Sequence, residues 1–358
     1  MPKTIGIIDA DLLDNGTRHP NLALMKISGY QKELGNDVTL LEDYYSIPKY
    51  DEVYLSRVFD FTNVPIDPKN YPNLHIGGTG FFWMTAPDLP LEVEHHMPDY
   101  HLYDEYVGRQ IARGIKPQTY SDYMDYSIGF TTRGCFRKCP FCVNQKYDHV
   151  FRHSPVKEFF DPSRKHIYLW DDQFFGFPKW QGVDELDEPG RRFQFRQGLD
   201  VRLMTEEKAR RLANVKYHGD YIFAFDHINE AEQVVRGLKI WRRHSDKSTK
   251  LYVLSGYESQ GAEEIASIFE RIRILMEYQC LPYIMRHEYY NRSPYKGMFI
   301  TLARWCNQPS FLKKKSFRQF CEANGLTSSA FRYMSEFEHD HPDIAKQYFD
   351  IRFDRHGA

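Results

Sequence analysis

The chain has 358 residues, 42% of them hydrophobic, with 47 Lys and Arg against 49 Asp and Glu for a net charge of −2. This composition is globular and excludes disorder, the length exceeds one ordinary domain, and the near-neutral charge excludes a global attraction to nucleic acid or an acidic membrane. The opening MPKTIGIIDADLLDNG lacks a leader pattern and no stretch reaches the apolar length of a membrane span, so a reducing cytoplasm is the expected location, with no membrane partner.

Thr4–Asp9 (TIGIID) is an apolar run suited to a strand, followed by an expected loop through Asp11, Asp14, Asn15 and Gly16. Asn21–Leu34 has Leu22, Met25, Ile27, Tyr30 and Leu34 at helical spacing with Gly35 as a stop. Asp37–Leu41, Glu52–Ser56 and Leu74–Ile76 supply further short strands, and this alternation predicts a small parallel α/β layer over residues 1–84. Gly77, Gly78 and Gly80 read as a tight turn, because no helical pattern follows that would complete a phosphate cradle. Residues 85–125 carry several prolines together with His95, His96 and His101; neither spacing nor frame supports a metal site, and an ordered connecting arm across the mouth of the core is expected.

Tyr126–Thr131 predicts a strand that runs into TTRGCFRKCPFCVNQ, where Cys135, Cys139 and Cys142 stand in C-x3-C-x2-C spacing. Thiolates this close suit a soft metal centre. Three of them on a [4Fe-4S] cube leave one iron without a protein ligand, open to an amino and carboxylate chelate such as S-adenosylmethionine. A structural zinc site would need a fourth ligand, for which His149 or His153 is available, and three cysteines serve disulfide pairing poorly.

With Phe141 in the aromatic slot, the motif resembles the signature of the radical SAM superfamily. The resemblance implies a [4Fe-4S] cluster on Cys135, Cys139 and Cys142, S-adenosylmethionine on the open iron, Phe141 beside the adenine, and reductive cleavage to a 5′-deoxyadenosyl radical. It also implies a one-electron reductant such as flavodoxin or ferredoxin. The N-terminal segment resembles the Rossmann-like domain that precedes the core in cobalamin-dependent members and methylthiotransferases, through HPNLALMKISGYQKELGNDVTLLE and Gly77-Gly78. The cobalamin signature D-x-H-x-x-G is absent, so cobalamin is not expected. Residues 1–134 contain no cysteine, which disfavours methylthiolation, a reaction that needs a second cluster.

Beyond the cysteines, strands are predicted at His166–Trp170, Phe193–Gln197, Tyr221–Phe225, Leu251–Leu254 and Leu281–Met285, with helices near Thr205–Ala213, Glu230–Arg243 and Ala262–Tyr278. Six strand units in succession predict a parallel sheet, which the resemblance specifies as a curved (β/α)6 partial barrel over residues 126–294. Polar residues at carboxyl ends of parallel strands read as functional. Asp171 and Asp172 stand where the superfamily holds the methionyl amino group, although the chain departs from the usual Gly-Gly-Glu. Gln197, Asp200 and Arg202 follow the third strand, and Arg202 is a candidate for a carboxylate or for an internal salt bridge. Asp226 and His227 end the fourth, as candidates for ribose or substrate. Ser255 and Gly256 occupy the fifth-strand position near adenine, with Glu258 one residue too early for the family pattern. Arg286, His287, Tyr289 and Tyr290 follow the sixth.

Residues 295–358 predict a helical extension with short helices ending at Arg355. Between Arg304 and Arg318 lie Lys313, Lys314 and Lys315 and no acid, interleaved with Trp305, Phe311 and Phe317. This pattern reads either as a base-stacking, phosphate-binding surface or as a solvated helix face over an apolar anchor. Cys280, Cys306 and Cys321 are widely spaced and expected to be free buried thiols. The sequence thus predicts a radical SAM enzyme that abstracts hydrogen from a substrate, expected to be a nucleobase in RNA or DNA, with a peptide or small metabolite as alternatives. The rival is a non-catalytic zinc module using Cys135, Cys139, Cys142 and His149 that binds nucleic acid.

Overall fold

The structure is a computed structural model and describes residues 1–178 and 182–353. The chain divides into two compact units, Met1–Gln194 and Phe195–Ala358. This division falls inside the segment that the sequence assigns to one core.

In the first unit, β1 (Thr4–Asp9), β2 (Asp37–Leu40), β3 (Glu52–Ser56) and β4 (Leu74–Gly77) form a parallel sheet in the order β2-β1-β3-β4. The apolar run of β1 leaves Ile5, Ile7 and Ile8 fully buried, as expected for a central strand covered on both faces. The expected loop after β1 is instead a short helix, α1 (Ala10–Asn15), because Asp9 caps Leu12 N and Gly16 closes the last turn at φ 59. Asn21 caps α2 (Leu22–Glu33) in the same way, accepting from Leu24 N.

Residues 85–125 form α3 (Leu91–Glu94), α4 (Asp104–Ala112) and α5 (Ser121–Met124), and they belong to the core. Tyr100, Tyr103, Tyr120 and Tyr123 are buried in one cluster with Ile5, Ile7, Leu24 and Met25. Three of these hydroxyls have backbone or carboxylate partners: Tyr103 donates to Asp9 Oδ2 (2.9 Å) and Tyr123 to Thr17 O (2.8 Å). Tyr100 donates to Phe159 O (2.6 Å) and accepts from Ile128 N (2.8 Å). The segment expected as a connecting arm is therefore packed structure.

A second sheet of the unit has the order β5-β8-β9, from β5 (Tyr126–Gly129), β8 (His166–Leu169) and β9 (Arg192–Phe195), with β5 and β8 parallel. Between β5 and β8 the chain makes a small antiparallel pair, β6 (Thr132–Arg133) with β7 (Phe151–Arg152), whose connection carries the cysteines. Leu22 of α2 packs with Tyr126, Ile128 and Tyr168, which joins the N-terminal layer to this sheet. A short helix, α6 (Gly182–Asp187), precedes β9.

In the second unit, α7 (Glu206–Asn214) is followed by β10 (Tyr221–Ala224), α8 (Ala231–His244), β11 (Thr249–Ser255), α9 (Ala262–Glu277) and β12 (Leu281–Arg286). The three strands form a parallel sheet in chain order, and Leu199 bridges to Phe223 of β10. Alternation along β11 buries Leu251, Val253 and Ser255 and leaves Tyr252 and Leu254 on the less buried face. The C-terminal helices are α10 (Lys296–Cys306), α11 (Pro309–Leu312), α12 (Phe317–Ala323), α13 (Ser329–Asp340) and α14 (Pro342–Tyr348); Arg355, the expected end of the helical tail, lies outside the described residues. No helix among the described residues is long and apolar enough to cross a membrane.

Candidate metal centre and its surroundings

The cysteine loop leaves the carboxyl end of β5 through Thr131 and the β6 pair. Cys135, Cys139 and Cys142 are half-buried. Backbone amides already address two of the sulfurs: Arg137 N donates to Cys135 Sγ (3.3 Å) and Asn144 N to Cys142 Sγ (3.4 Å). Cys142 N donates to Cys139 O (2.9 Å), which makes a tight turn between the last two. Such N–H···S bonds favour thiolate over thiol and are the donors that iron–sulfur sites use. Among the described residues no three His, Cys, Asp or Glu side chains already stand in a metal-ligating arrangement. The fit to a cluster thus rests on the donor set: three cysteines in one turn, two of their sulfurs met by amides.

The loop is tied along its length. Lys138 Nζ donates to Gln145 O and Tyr147 O (both 2.8 Å), and Gln145 Nε2 donates to Cys139 O (2.6 Å) and Cys142 O (3.0 Å). Gly134 adopts φ +87, and a Cβ there would stand 2.2 Å from His149 O, so only glycine fits the approach to the first cysteine. Phe141 is half-buried within the same turn.

Asp171 is fully enclosed and receives four bonds, from Thr131 N (3.1 Å) and Oγ1 (2.6 Å) and from Thr132 N (2.6 Å) and Oγ1 (2.7 Å). Burial pushes its carboxyl up, against the pull of those donors. Asp172 accepts from Gly134 N (2.8 Å), Asn144 Nδ2 (2.8 Å) and Arg133 Nε (3.3 Å). Both carboxylates therefore bind the cysteine loop itself, where the sequence assigned them to the methionyl amino group. Thr131, Thr132, Asn144 and Gln145 had no role in the sequence reading, although all four flank the cysteines.

The histidines offered as zinc ligands have other partners. His149 Nδ1 meets Asp148 (2.8 Å), and His153 Nε2 meets Glu94 (3.2 Å) while its Nδ1 meets Ser154 (3.0 Å).

In the second unit, Arg202 grips Asp200 through Nε (2.6 Å) and Nη2 (2.9 Å) and also binds Glu230, which is the internal salt bridge foreseen as its alternative. Gln197 is exposed. Asp226 stands just past β10, and burial, then the charge of Glu230, raises its carboxyl to about 6 against the opposing pull of Arg271 and Arg202. Arg271 is buried and donates to Asp226 O and Leu254 O (both 2.8 Å), gathering the carboxyl ends of β10 and β11. Ser255 is buried and donates to Met285 O (3.2 Å), while Gly256 takes φ +72 with its N–H on Glu264 (3.2 Å). Glu258 pairs with His227.

The basic and aromatic pattern near the C-terminus separates in three dimensions. Trp305 and Phe317 are fully buried, packed on each other at 5.6 Å and on Phe269. They anchor helices and present no face to a base. Arg318 is held by Glu338 and Asp350, while Arg304, Lys313 and Lys314 are exposed. Cys280, Cys306 and Cys321 are buried free thiols, with burial raising Cys280 to about 11 and Cys321 to about 12.

No protein-family profile matches the chain, and no curated protein matches it in sequence. Solved structures do. The radical S-adenosylmethionine methyltransferase TsrM from Kitasatospora setae, with cobalamin and a [4Fe-4S] cluster bound, superposes with a TM-score of 0.52 at 12% identity, over 80% of this chain and 75% of that one. The fold is shared with a radical SAM enzyme. TsrM with tryptophan substrate and a SAM analogue bound gives the same TM-score and identity over 78% of this chain and 72% of that one. Because TsrM is a cobalamin-bound protein, the sequence expectation against cobalamin draws no support from this likeness.

Proposed function

We propose that the chain is a radical SAM enzyme in which Cys135, Cys139 and Cys142 hold a [4Fe-4S] cluster and S-adenosylmethionine occupies the remaining iron. The observation that carries this reading is the C-x3-C-x2-C turn at the carboxyl end of a parallel strand, with backbone amides donating to Cys135 and Cys142 sulfur. A zinc module has less support, since both ring nitrogens of His153 are engaged elsewhere. The strands of the β5-β8-β9 and β10-β11-β12 sheets are read as the strands of a (β/α)6 partial barrel. When bound, the cluster would supply one electron, drawn from a flavodoxin- or ferredoxin-type donor, for reductive cleavage of the sulfonium. The chain's own residues fix the loop and shape the substrate site. Asp226, Ser255 and Gly256, at the carboxyl ends of β10 and β11, are the residues of the second unit we assign to nucleoside or substrate contact.

The substrate reading shifts. With Trp305 and Phe317 buried and Phe311 half-buried beside Phe320, the aromatic support for a nucleic-acid substrate weakens. The less buried face of β10–β12 instead offers Tyr252, Tyr283 and Met285, the last two 37% and 44% exposed, which favours a substrate with a flat or apolar part.

A second reading is favoured by one observation in the N-terminal sheet. The segments following β3 and β4 carry exposed Phe59, Phe61 and Trp83, with Phe59 and Phe61 stacked at 5.1 Å, beside the Gly77–Gly80 turn. Carboxyl edges of parallel sheets are ligand sites, and a flat apolar cofactor such as a corrin suits this one. The missing D-x-H-x-x-G removes an axial histidine and not this surface.

Anaerobic reconstitution with iron and sulfide, followed by dithionite and S-adenosylmethionine, tests both. 5′-Deoxyadenosine by mass spectrometry supports hydrogen abstraction. S-Adenosylhomocysteine that appears only with added cobalamin supports methyl transfer. Stoichiometric zinc with neither product overturns the enzyme reading.

A further inference from the structure

Asp172 touches the cysteine loop at both ends. Its Oδ2 accepts from Gly134 N, one residue before Cys135, and its Oδ1 accepts from the side chain of Asn144, two residues after Cys142. The backbone amide of that same Asn144 is the donor to Cys142 Sγ. The Asp172 side chain is only 8% exposed, so this clamp is shielded from competing water. Asp171 beside it fixes the entry to the loop through four bonds to Thr131 and Thr132. The carboxyl end of β8 thus holds both shoulders of the turn that presents the sulfurs.

We propose that Asp172 is a positioning residue: acting through Asn144, it holds an N–H donor on the sulfur of Cys142 and so sets the reduction potential of the cluster, an inference that rests on the reading of the three cysteines given above. The physical basis is direct. A hydrogen bond to a ligating sulfur stabilises the added negative charge of the reduced cluster, so its loss shifts the potential downward. In the metal-free chain the same bond favours the Cys142 thiolate over the thiol.

The geometry predicts how substitutions behave. In D172N one amide donor faces the Asn144 amide, donor against donor, while N144D sets two carboxylates together. In the double variant D172N/N144D the amide introduced at 172 donates to the carboxylate introduced at 144, and its oxygen still accepts from Gly134 N. Net charge is unchanged. N144A leaves the Gly134 bond in place and serves should D172N fail to fold.

Three quantities are measured on the wild type and these variants: iron bound after anaerobic reconstitution, the cluster midpoint potential by EPR-monitored redox titration, and the alkylation rate of Cys142 in metal-free protein by peptide mass spectrometry. The single variants are expected to shift the potential to more negative values and to lower the alkylation rate several-fold, because the thiolate is the form that is alkylated, with the double variant returning both toward wild type. Wild-type potentials and alkylation rates in D172N and N144A, or a double variant no better than the singles, overturn the proposal. A wild type that loads no cluster overturns the site reading, and the alkylation rates then still decide whether the clamp exists.

Discussion

Lys26 of α2 places its ammonium 2.9 Å from Glu94 Oε1 with only 6% of its side chain exposed, and Glu94 also meets His153 Nε2 at 3.2 Å, next to the cysteine-bearing connection. Burial alone would raise Glu94. The hydrogen bond from His153 and the Lys26 charge together outweigh burial and hold the carboxyl at about 2. Lys26 itself is pushed down by burial, against the opposing pull of Glu94.

Because the folded value of Glu94 lies below its ordinary 4.5, its contribution to stability is fully present above about pH 5 and is lost as the pH falls toward 2. K26M removes the main cation beside a buried carboxylate and should cost about 3 kcal/mol at pH 7, with a flatter acid limb. Urea unfolding at pH 7 and pH 3 checks both. An unchanged midpoint at pH 7 would show that the pair contributes nothing net.

Asp9 has the opposite sign. Burial raises it to about 6, over the opposing hydrogen bonds from Tyr103 and Leu12 N. Its neutral form is favoured in the folded state, so the associated stability is present below about pH 4 and is lost as the pH rises through 6. D9N keeps an acceptor for Leu12 N and removes the titration. The slope of stability between pH 4 and 6 should shrink, with D9N more stable than wild type at pH 8 by about 2 kcal/mol. A D9N profile parallel to wild type would contradict the assignment.

Gly134 sits at φ +87 against His149 O. G134A should destabilise by about 2 kcal/mol, and it should reduce iron loading more than stability alone explains, because the Gly134 amide is one arm of the Asp172 clamp. Iron per folded chain, compared with the thermal midpoint, separates the two effects.

W305A tests the correction at the C-terminus. Trp305 is fully buried and its Nε1 donates to Lys315 O (3.0 Å), so truncation should cost about 3–5 kcal/mol. K313A/K314A, at exposed positions, should stay within about 0.5 kcal/mol. Thermal unfolding decides. A stable W305A would show that the indole is not an anchor.

Strands and major helices were legible because their signals are local. The β-branched run at Thr4–Asp9 gives β1 residue for residue, and the Asn21 and Gly16 caps lie beside the elements they bound. The buried roles of Tyr100, Tyr103 and Tyr123 are not legible in the sequence, because their partners, Ile128, Asp9 and Thr17, are remote and no short-range pattern announces them. The same limit applied at the site. Cysteine spacing is a local code, whereas the contacts of Asp171 and Asp172 that tie down the cysteine loop span 28 to 40 residues, and no short-range pattern announces them. Arg202 lost its free guanidinium to Asp200, two residues away, an ion pair that the sequence displayed.

Tyr100 supplies a hydroxyl to the backbone of β5 in the manner of a missing neighbouring strand, accepting from Ile128 N and donating to Phe159 O. A chimera that transplants residues 126–294 onto a foreign front end would inherit a first strand with an orphaned amide, one residue before the turn toward the cysteines. Such a graft would have to carry residues 85–125 with it, which makes the tyrosine-rich segment part of the same transferable folding unit and not a spacer open to replacement.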